Sequence, residues 1–205
     1  MISSATYIEN NEAFIFELDD VLYPEKDYLL QVYYLFAQFI EYTEQQDATS
    51  IIQFMQETYR KEGTTDLFSK TARQFNLPEK YQSNFDLLHL TARLPLKLLL
   101  FAPVLKFIQQ ILAAGKPLFL LAGGDPLKQL NKIRQLEWNG AEQHLVVYFT
   151  EEIAKGSTDN AIDIIINKHG LNPRKTAFIN NSEIELKKAF SSGINSLPIG
   201  KLLVS

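Results

Sequence analysis

The sequence predicts an α/β fold: an open, Rossmann-like parallel sheet interrupted after its first strand by a block of helices. Three features of the 205 residues predict it. An apolar run over residues 13–18 reads as a buried strand. Residues 25–95 then show helical periodicity and no strand signal. From Pro95 onward, short apolar runs alternate with amphipathic helices, which implies right-handed crossovers and a parallel sheet covered on both faces. Residues 1–24 and 96–205 are therefore assigned to an α/β core and residues 25–95 to an inserted helical cap.

Within the insert, Leu29, Val32, Phe36, Phe39 and Ile40 fall on one face of a first helix, and Tyr28, Leu35 and Tyr42 mark a second apolar stripe. Asp47 is placed to cap the next helix, whose inner face carries Ile51, Met55 and Tyr59 and which Gly63 ends. Leu67, Phe68, Thr71 and Phe75 define a third helix, stopped near Pro78; Tyr81, Phe85, Leu88 and Ala92 define a fourth. In the core, Pro103 suits the first turn of a helix that buries Val104, Ile108, Ile111 and Leu112 and closes at Gly115. "PLFLLA" is a strand, followed by a Gly-Gly break and a helix starting near Asp125 and Pro126. "HLVVYF" is the next strand. A helix over residues 158–169 follows, with Ala161, Ile164 and Ile165 inward. "TAFIN" is a strand, residues 182–190 a helix, and "INSLPI" the last strand.

Composition narrows the range of function. A net charge of −4 supplies no basic field for a phosphate backbone, so nucleic acid is not an expected partner. The absence of cysteine removes disulfides, thiolate catalysis and cysteine-ligated zinc. His89, His144 and His169 lack the close spacing of a metal-binding helix. The longest apolar stretch, residues 98–105, is broken by Pro103 and falls far short of the roughly 20 residues of a membrane span. No basic region precedes an apolar core at the amino terminus, so the expected location is cytoplasmic, with no membrane partner.

Ligands of open α/β sheets sit beyond the carboxyl ends of the strands. Those ends carry Glu17 and Asp19, Ala122-Gly123-Gly124, Thr150 with the loop to Lys155, and Asn180-Asn181. Glu17 and Asp19 project to one side, because alternate strand residues share a face. Gly123-Gly124 reads either as a tight turn or as a backbone nest that receives an anion at the helix opening near Asp125.

On these residues the chain resembles the haloacid dehalogenase-like (HAD) hydrolases. "FELDDVLYP", residues 16–24, is similar to their first motif, Asp-x-Asp followed by Thr or Val and Leu. "PLFLLAGG" falls where the second motif ends a strand in Thr or Ser. Lys155, in "EEIAKGSTDNAI", falls at the third-motif lysine, and "TAFINNSEIELKKA" at the fourth. The order of elements and the cap between the first two motifs extend the resemblance along nearly the whole chain. It implies an HAD-like core in which the first aspartate attacks phosphorus and the second serves as acid and base. It also implies that Thr or Ser and Lys hold the phosphoryl oxygens. Magnesium would bind the first aspartate, the backbone carbonyl of the second and a fourth-motif aspartate. Carried over by position, catalytic roles fall to Glu17, Asp19 and Lys155, phosphate contacts to Gly123, Gly124 and Lys155, and metal contacts to Glu17, Asp19 and Asn181. The last acid of the fourth motif falls on Glu185 or Leu186, according to how the loop is aligned.

Three positions depart from that pattern, and each departure has a physical consequence. Glu17 carries its carboxylate one methylene further out, and about 1 Å of misplacement costs on the order of a hundredfold in rate. Ala122 has no hydroxyl to donate, a loss of roughly two to three powers of ten. Asn181 offers a neutral oxygen where magnesium favours anionic ones. Magnesium is therefore expected to bind weakly or not at all, with Lys155 pairing with Glu17 and taking part of the metal's electrostatic role. The expected function is that of an HAD-like hydrolase homologue, catalytically silent or very weak, acting as a binding or interaction protein. A small phosphorylated or anionic ligand and a homodimer are its compatible partners. The alternative is a magnesium-dependent phosphatase acting on a small phosphorylated metabolite through Glu17. Plainer readings cover several neighbours. Ser182 and Glu185 form a Ser-x-x-Glu capping box, Phe36, Phe39, Phe54, Phe75 and Phe85 are packing, and Arg60, Arg73 and Arg93 are solvated.

Overall fold

The computed structural model describes residues 4–155 and 160–203. Strand β1 (Ala13–Glu17) is buried on both faces up to Phe16, which is why its sequence is apolar until Glu17 ends it. It lies at the centre of a five-stranded parallel sheet of order β5-β3-β1-β6-β7. The other strands are β3 (Leu118–Ala122), β5 (Leu145–Phe149), β6 (Thr176–Asn180) and β7 (Asn195–Pro198). Phe14 stands in register with Leu118 on one side and Ala177 on the other. The strand order reverses direction at β1, so the ligand crevice is expected above the carboxyl ends of β1, β3 and β6.

Alternation along β1 sorts two layers. Phe14 and Phe16 face α6 (Ala102–Ala113), where Phe107 meets Phe14 edge-on at 5.7 Å. Ile15 and Phe178 face the opposite layer, built from α9 (Ala161–His169) and α10 (Glu183–Ser191). Glu17 shares parity with Ile15, so its carboxyl emerges on the side of α9 and α10. Asn160 caps α9, its side chain accepting from Asp163 N–H at 2.9 Å; positions 158 and 159, where that helix was expected to begin, lie outside the described residues. Ile162 and Ile166, rather than Ile164, join Ala161 and Ile165 in the core, because the buried stripe is centred between those two pairs.

The inserted helices are α2 (Glu25–Glu44), α3 (Ala48–Glu62), α4 (Leu67–Phe75) and α5 (Gln82–Thr91), with no strand between residues 25 and 95. Asp47 caps α3, accepting from Ser50 N–H at 2.8 Å. The second stripe expected on α2 is only partly real. Tyr28 is fully buried, but Tyr42 is 89% exposed, and Tyr33 and Ala37 continue the inner surface instead. The last turns of the helix meet their neighbours through Phe39 and Glu44, which both contact Tyr81, and Tyr42 points to solvent. Aromatic rings of the insert pack on one another, with Phe36–Phe85 at 5.1 Å, Phe39–Tyr81 at 5.3 Å and Phe54–Phe75 at 5.7 Å. The buried residues of the insert and of the sheet face under α6 form one apolar cluster, continuous across residues 24 and 96.

Further short elements complete the chain. Helix α1 (Ser4–Asn10) precedes β1 and is held by Lys116, whose ammonium donates to the carbonyls of Ile8 and Asn11. Strands β2 (Leu98–Leu99) and β4 (Leu136–Glu137) pair in parallel, fastening the chain after the insert to the end of α7 (Pro126–Gln135). Helices α8 (Thr150–Ile153) and α11 (Gly200–Leu203) follow β5 and β7. No helix among the described residues is long and apolar enough to cross a membrane.

Candidate functional site

A cavity of about 660 Å³ opens at the carboxyl ends of β1, β3 and β6, and Glu17, Asp19, Gly123, Thr150 and Asn181 line it. After β1 the chain turns sharply, with Leu22 N–H donating to Leu18 O and Asp20 N–H to Tyr23 O, both at 3.0 Å. Asp20 adopts a left-handed φ of 57°. Its carboxylate accepts from Glu25 N–H at 2.9 Å, so it caps α2, whose Pro24 has no side-chain oxygen to do so.

The lysine that meets this turn is Lys132, which the sequence did not nominate. Its side chain is 1% exposed, and Nζ donates to Asp19 Oδ2 at 2.6 Å and to Glu25 Oε1 at 2.8 Å. The ammonium also lies 5.2 Å from the centre of the Tyr28 ring. Asp19 receives two more donors, Gln129 Nε2 at 3.0 Å on Oδ2 and the Tyr23 hydroxyl at 2.7 Å on Oδ1. Burial and the Asp19 charge push the Tyr23 phenol far up, so it stays a donor.

Lys155 sits in the exposed turn after α8, does not line the cavity and makes no ion pair with Glu17. The pairing expected between them is therefore corrected. A lysine in water has no reason to desolvate toward Glu17, whereas Lys132, at the end of the second turn of α7, reaches Asp19 and Glu25. The sequence did carry a signal for Lys132. In α7, Leu127 is 64% exposed while Gln129 and Lys132, three residues apart, are buried. A helix whose polar residues form the inward stripe, directly after a strand end, marks an internal polar site.

Glu17 is treated very differently from Asp19. Burial raises its carboxyl from an ordinary 4.5 to about 8, and the charge of Asp19 adds to the effect. A hydrogen bond from the Leu18 backbone and the charge of Lys132 oppose the shift without cancelling it. At neutral pH Glu17 is mostly an uncharged acid.

The glycine pair is occupied from within. Gly124 has a left-handed φ of 93°, and its N–H donates to Glu151 Oε1 at 2.6 Å. Gly123 O accepts from Gln129 Nε2, and Asp125 caps α7 by accepting from Lys128 N–H at 3.0 Å. Ala122 is fully buried and stands behind the cavity wall. Asn180 is buried and accepts from Ser182 N–H at 2.8 Å, while Asn181 is exposed at the cavity rim. Ser182 Oγ accepts from Glu185 N–H at 3.4 Å, which is half of the expected capping box; the Ser182 N–H goes to Asn180 instead of to the Glu185 carboxylate. Glu185 lines the cavity and pairs with Lys188 at 2.7 Å, whereas Leu186 packs into the core.

Fold and site together define an open α/β protein with a strand-end carboxyl site. No protein-family model matches the chain, and no curated protein does. Solved structures match over most of its length. A hydrolase from Streptococcus pneumoniae TIGR4 is 15% identical at a TM-score of 0.54, covering 92% of both chains. An HAD family hydrolase from Deinococcus radiodurans R1, solved with bound phosphate and sodium, is 14% identical at 0.54, covering 92% of this chain and 80% of that one. An HAD family enzyme from Bacteroides thetaiotaomicron, solved as a magnesium complex, is 15% identical at 0.52, covering 92% and 93%. The chain has the HAD-like hydrolase fold.

That fold implies magnesium, and the donors present do not fit it. Magnesium asks for octahedral oxygen ligands, anionic ones among them. Of the three expected donors, the Glu17 carboxyl is raised by burial and by the Asp19 charge, Asn181 is a neutral amide, and the backbone carbonyl of Asp19 is neutral too, so no ready anion is offered. Among the described residues, no group of three or more His, Asp or Glu is arranged to hold a metal.

Proposed function

We propose that this chain is an HAD-like hydrolase homologue whose phosphoryl-transfer chemistry is silent or very weak, and that it works as a small-molecule binding or interaction protein. The observation that carries this reading is the state of Glu17. The residue in the nucleophile's place is a glutamate whose carboxyl burial raises to about 8, so at neutral pH only about a tenth of it is the anion that attacks phosphorus well. The buried, hydroxyl-free Ala122 and the neutral Asn181 support the same reading. The ligand would occupy the cavity of about 660 Å³, which Gly123 and Thr150 line; the neighbouring Gly124 N–H is already taken by Glu151.

One observation favours a second reading, a magnesium-dependent phosphatase acting on a small phosphorylated metabolite. A carboxyl tuned toward neutral pH inside a cleft is the usual setting of an acid–base catalyst. Glu17 would then act as base and Asp19 as acid.

The deciding experiment assays wild type, Glu17→Gln and a restored Glu17→Asp/Asn181→Asp variant against a panel of phosphate esters with magnesium. The restored variant is made with and without Ala122→Thr, because position 122 is fully buried. Turnover only after restoration is the expected result. Wild-type turnover that Glu17→Gln abolishes would establish the phosphatase instead.

A further inference from the structure

A second recess lies between α2, α4, α5 and α7 and shares no lining residue with the strand-end cavity. Its volume is about 310 Å³, at the small end of the range for small-molecule sites. Glu25, Leu29 and Tyr33 form one stripe of α2, and Phe85 and His89 a matching stripe of α5. Leu67, at the start of α4, and Lys128 of α7 complete its walls. Tyr33 stacks on Phe85 at 6.2 Å, and Phe85 meets His89 edge-on at 4.8 Å.

Two polar atoms of this lining have no hydrogen-bond partner among the described residues. One is the hydroxyl of Tyr33, a fully buried side chain, and the other is Nδ1 of His89. Buried polar atoms are almost always paired, so plain core packing does not account for them. Burial keeps both groups uncharged at neutral pH, since it pushes the Tyr33 phenol up and holds His89 down to about 4. The phenol can donate, and a neutral imidazole nitrogen donates or accepts according to its tautomer. The charged residues of the lining are of both signs, Glu25 and Asp86 against Lys128, and Glu25 is already held by Lys132 at 2.8 Å. A charged ligand would be repelled by one set or the other. A neutral head that both accepts and donates finds partners of both kinds. We propose that this recess is a second ligand site, taking a small uncharged molecule whose carboxamide or hydroxyl head meets Tyr33 and His89 and whose short apolar body lies on Leu29, Leu67 and Phe85. The site is independent of the functional reading above.

The test titrates isovaleramide into the full chain by nuclear magnetic resonance, with isovalerate and isopentylamine as probes of similar shape and opposite charge. Isovaleramide should bind in the millimolar range expected of so small a molecule. It should move the His89 ring nitrogens and the amides around Tyr33 and Phe85, and leave Gly123 and Thr150 of the other cavity in place. Both charged probes should bind about fivefold or more weakly than the amide. Tyr33→Phe should weaken isovaleramide about five- to tenfold. Its urea midpoint should be unchanged or higher, because the hydroxyl makes no hydrogen bond within the fold. The proposal is overturned if isovaleramide does not bind at millimolar concentration, if a charged probe binds as tightly, or if Tyr33→Phe binds it equally well. A lowered midpoint in Tyr33→Phe overturns it too, by showing that the hydroxyl is bonded inside the folded chain.

Discussion

Replacing Glu17 by glutamine should make the protein more stable, by an amount that grows with pH. The folded chain holds the Glu17 proton to about 8, whereas an unfolded chain releases it near 4.5. Below pH 4.5 both states carry the proton and the residue contributes nothing to pH dependence. Between 4.5 and 8 only the unfolded state has lost it, so stability falls as pH rises; above 8 both are ionised and the deficit is constant. The interval of 3.5 pH units corresponds to about 5 kcal/mol at most. Water at the open side of the cavity should reduce that to roughly 2–3 kcal/mol. Glutamine matches the uncharged acid in size and cannot ionise, so it removes the penalty and leaves the packing intact. Urea unfolding at intervals from pH 5 to pH 9, with a chelator present, measures the difference directly. Denaturation midpoints should diverge above pH 5 in favour of Glu17→Gln at an unchanged slope. Parallel stability curves across that range would refute the account of Glu17 as a buried, protonated acid.

Two further outcomes follow from the same cluster and its neighbour. Lys132→Met should lose roughly 3–5 kcal/mol in thermal or urea unfolding, because Asp19 and Glu25 are left facing each other without a cation. Adding Glu25→Gln should recover part of that loss. His89 is held down to about 4, first by burial and then by the charges of Lys128 and Lys132, so the folded chain resists its protonation. Stability should therefore fall as pH drops from about 6.5 to about 4, by roughly 2–3 kcal/mol. His89→Leu should flatten that acid limb in the same unfolding measurements.

Much of the fold was legible because burial on both faces leaves uninterrupted apolar runs. Residues 13–16, 118–122 and 176–179 announce strands wherever they occur, and Asp47, Asp125 and Ser182 announce the helix starts that follow. The short pair β2 and β4 left no trace, since two residues cannot display a period. Helix α1 is fixed by Lys116, more than a hundred residues away, and no local pattern reports that. A stripe spaced by sevens, as at Tyr28, Leu35 and Tyr42, drifts around an α-helix, which helped place an exposed Tyr42 on the wrong surface. At the site, Glu17 and Asp19 line one cavity, but Asp19 lies beyond the end of β1, where alternation no longer sets direction. It gave no means of choosing the lysine. Apolar periodicity reports burial driven by the hydrophobic effect, and Lys132 is buried by ion pairing with residues from two other elements.

The protonation of Glu17, the burial of Lys132 and the reach of Glu151 are parts of one electrostatic arrangement. Glu17, Asp19 and Glu25 gather three carboxyls around a single ammonium, and Asp19 and Glu25 both repel charge on Glu17. One cation cannot balance three anions at close range, so the least supported carboxyl gives up its charge by keeping a proton. Asp19 has three side-chain donors, whereas Glu17 has a backbone bond from Leu18, and the proton accordingly resides on Glu17. A dication would supply the missing charge in another way, but a tethered lysine and one proton already do so without leaving an open coordination position. Beside the cavity, the carboxylate of Glu151 in turn accepts from the Gly124 N–H. A strand end assembled in this manner is electrostatically complete before any ligand arrives. What enters the cavity must therefore be selected by shape and hydrogen bonding, or must first break a contact the protein makes with itself.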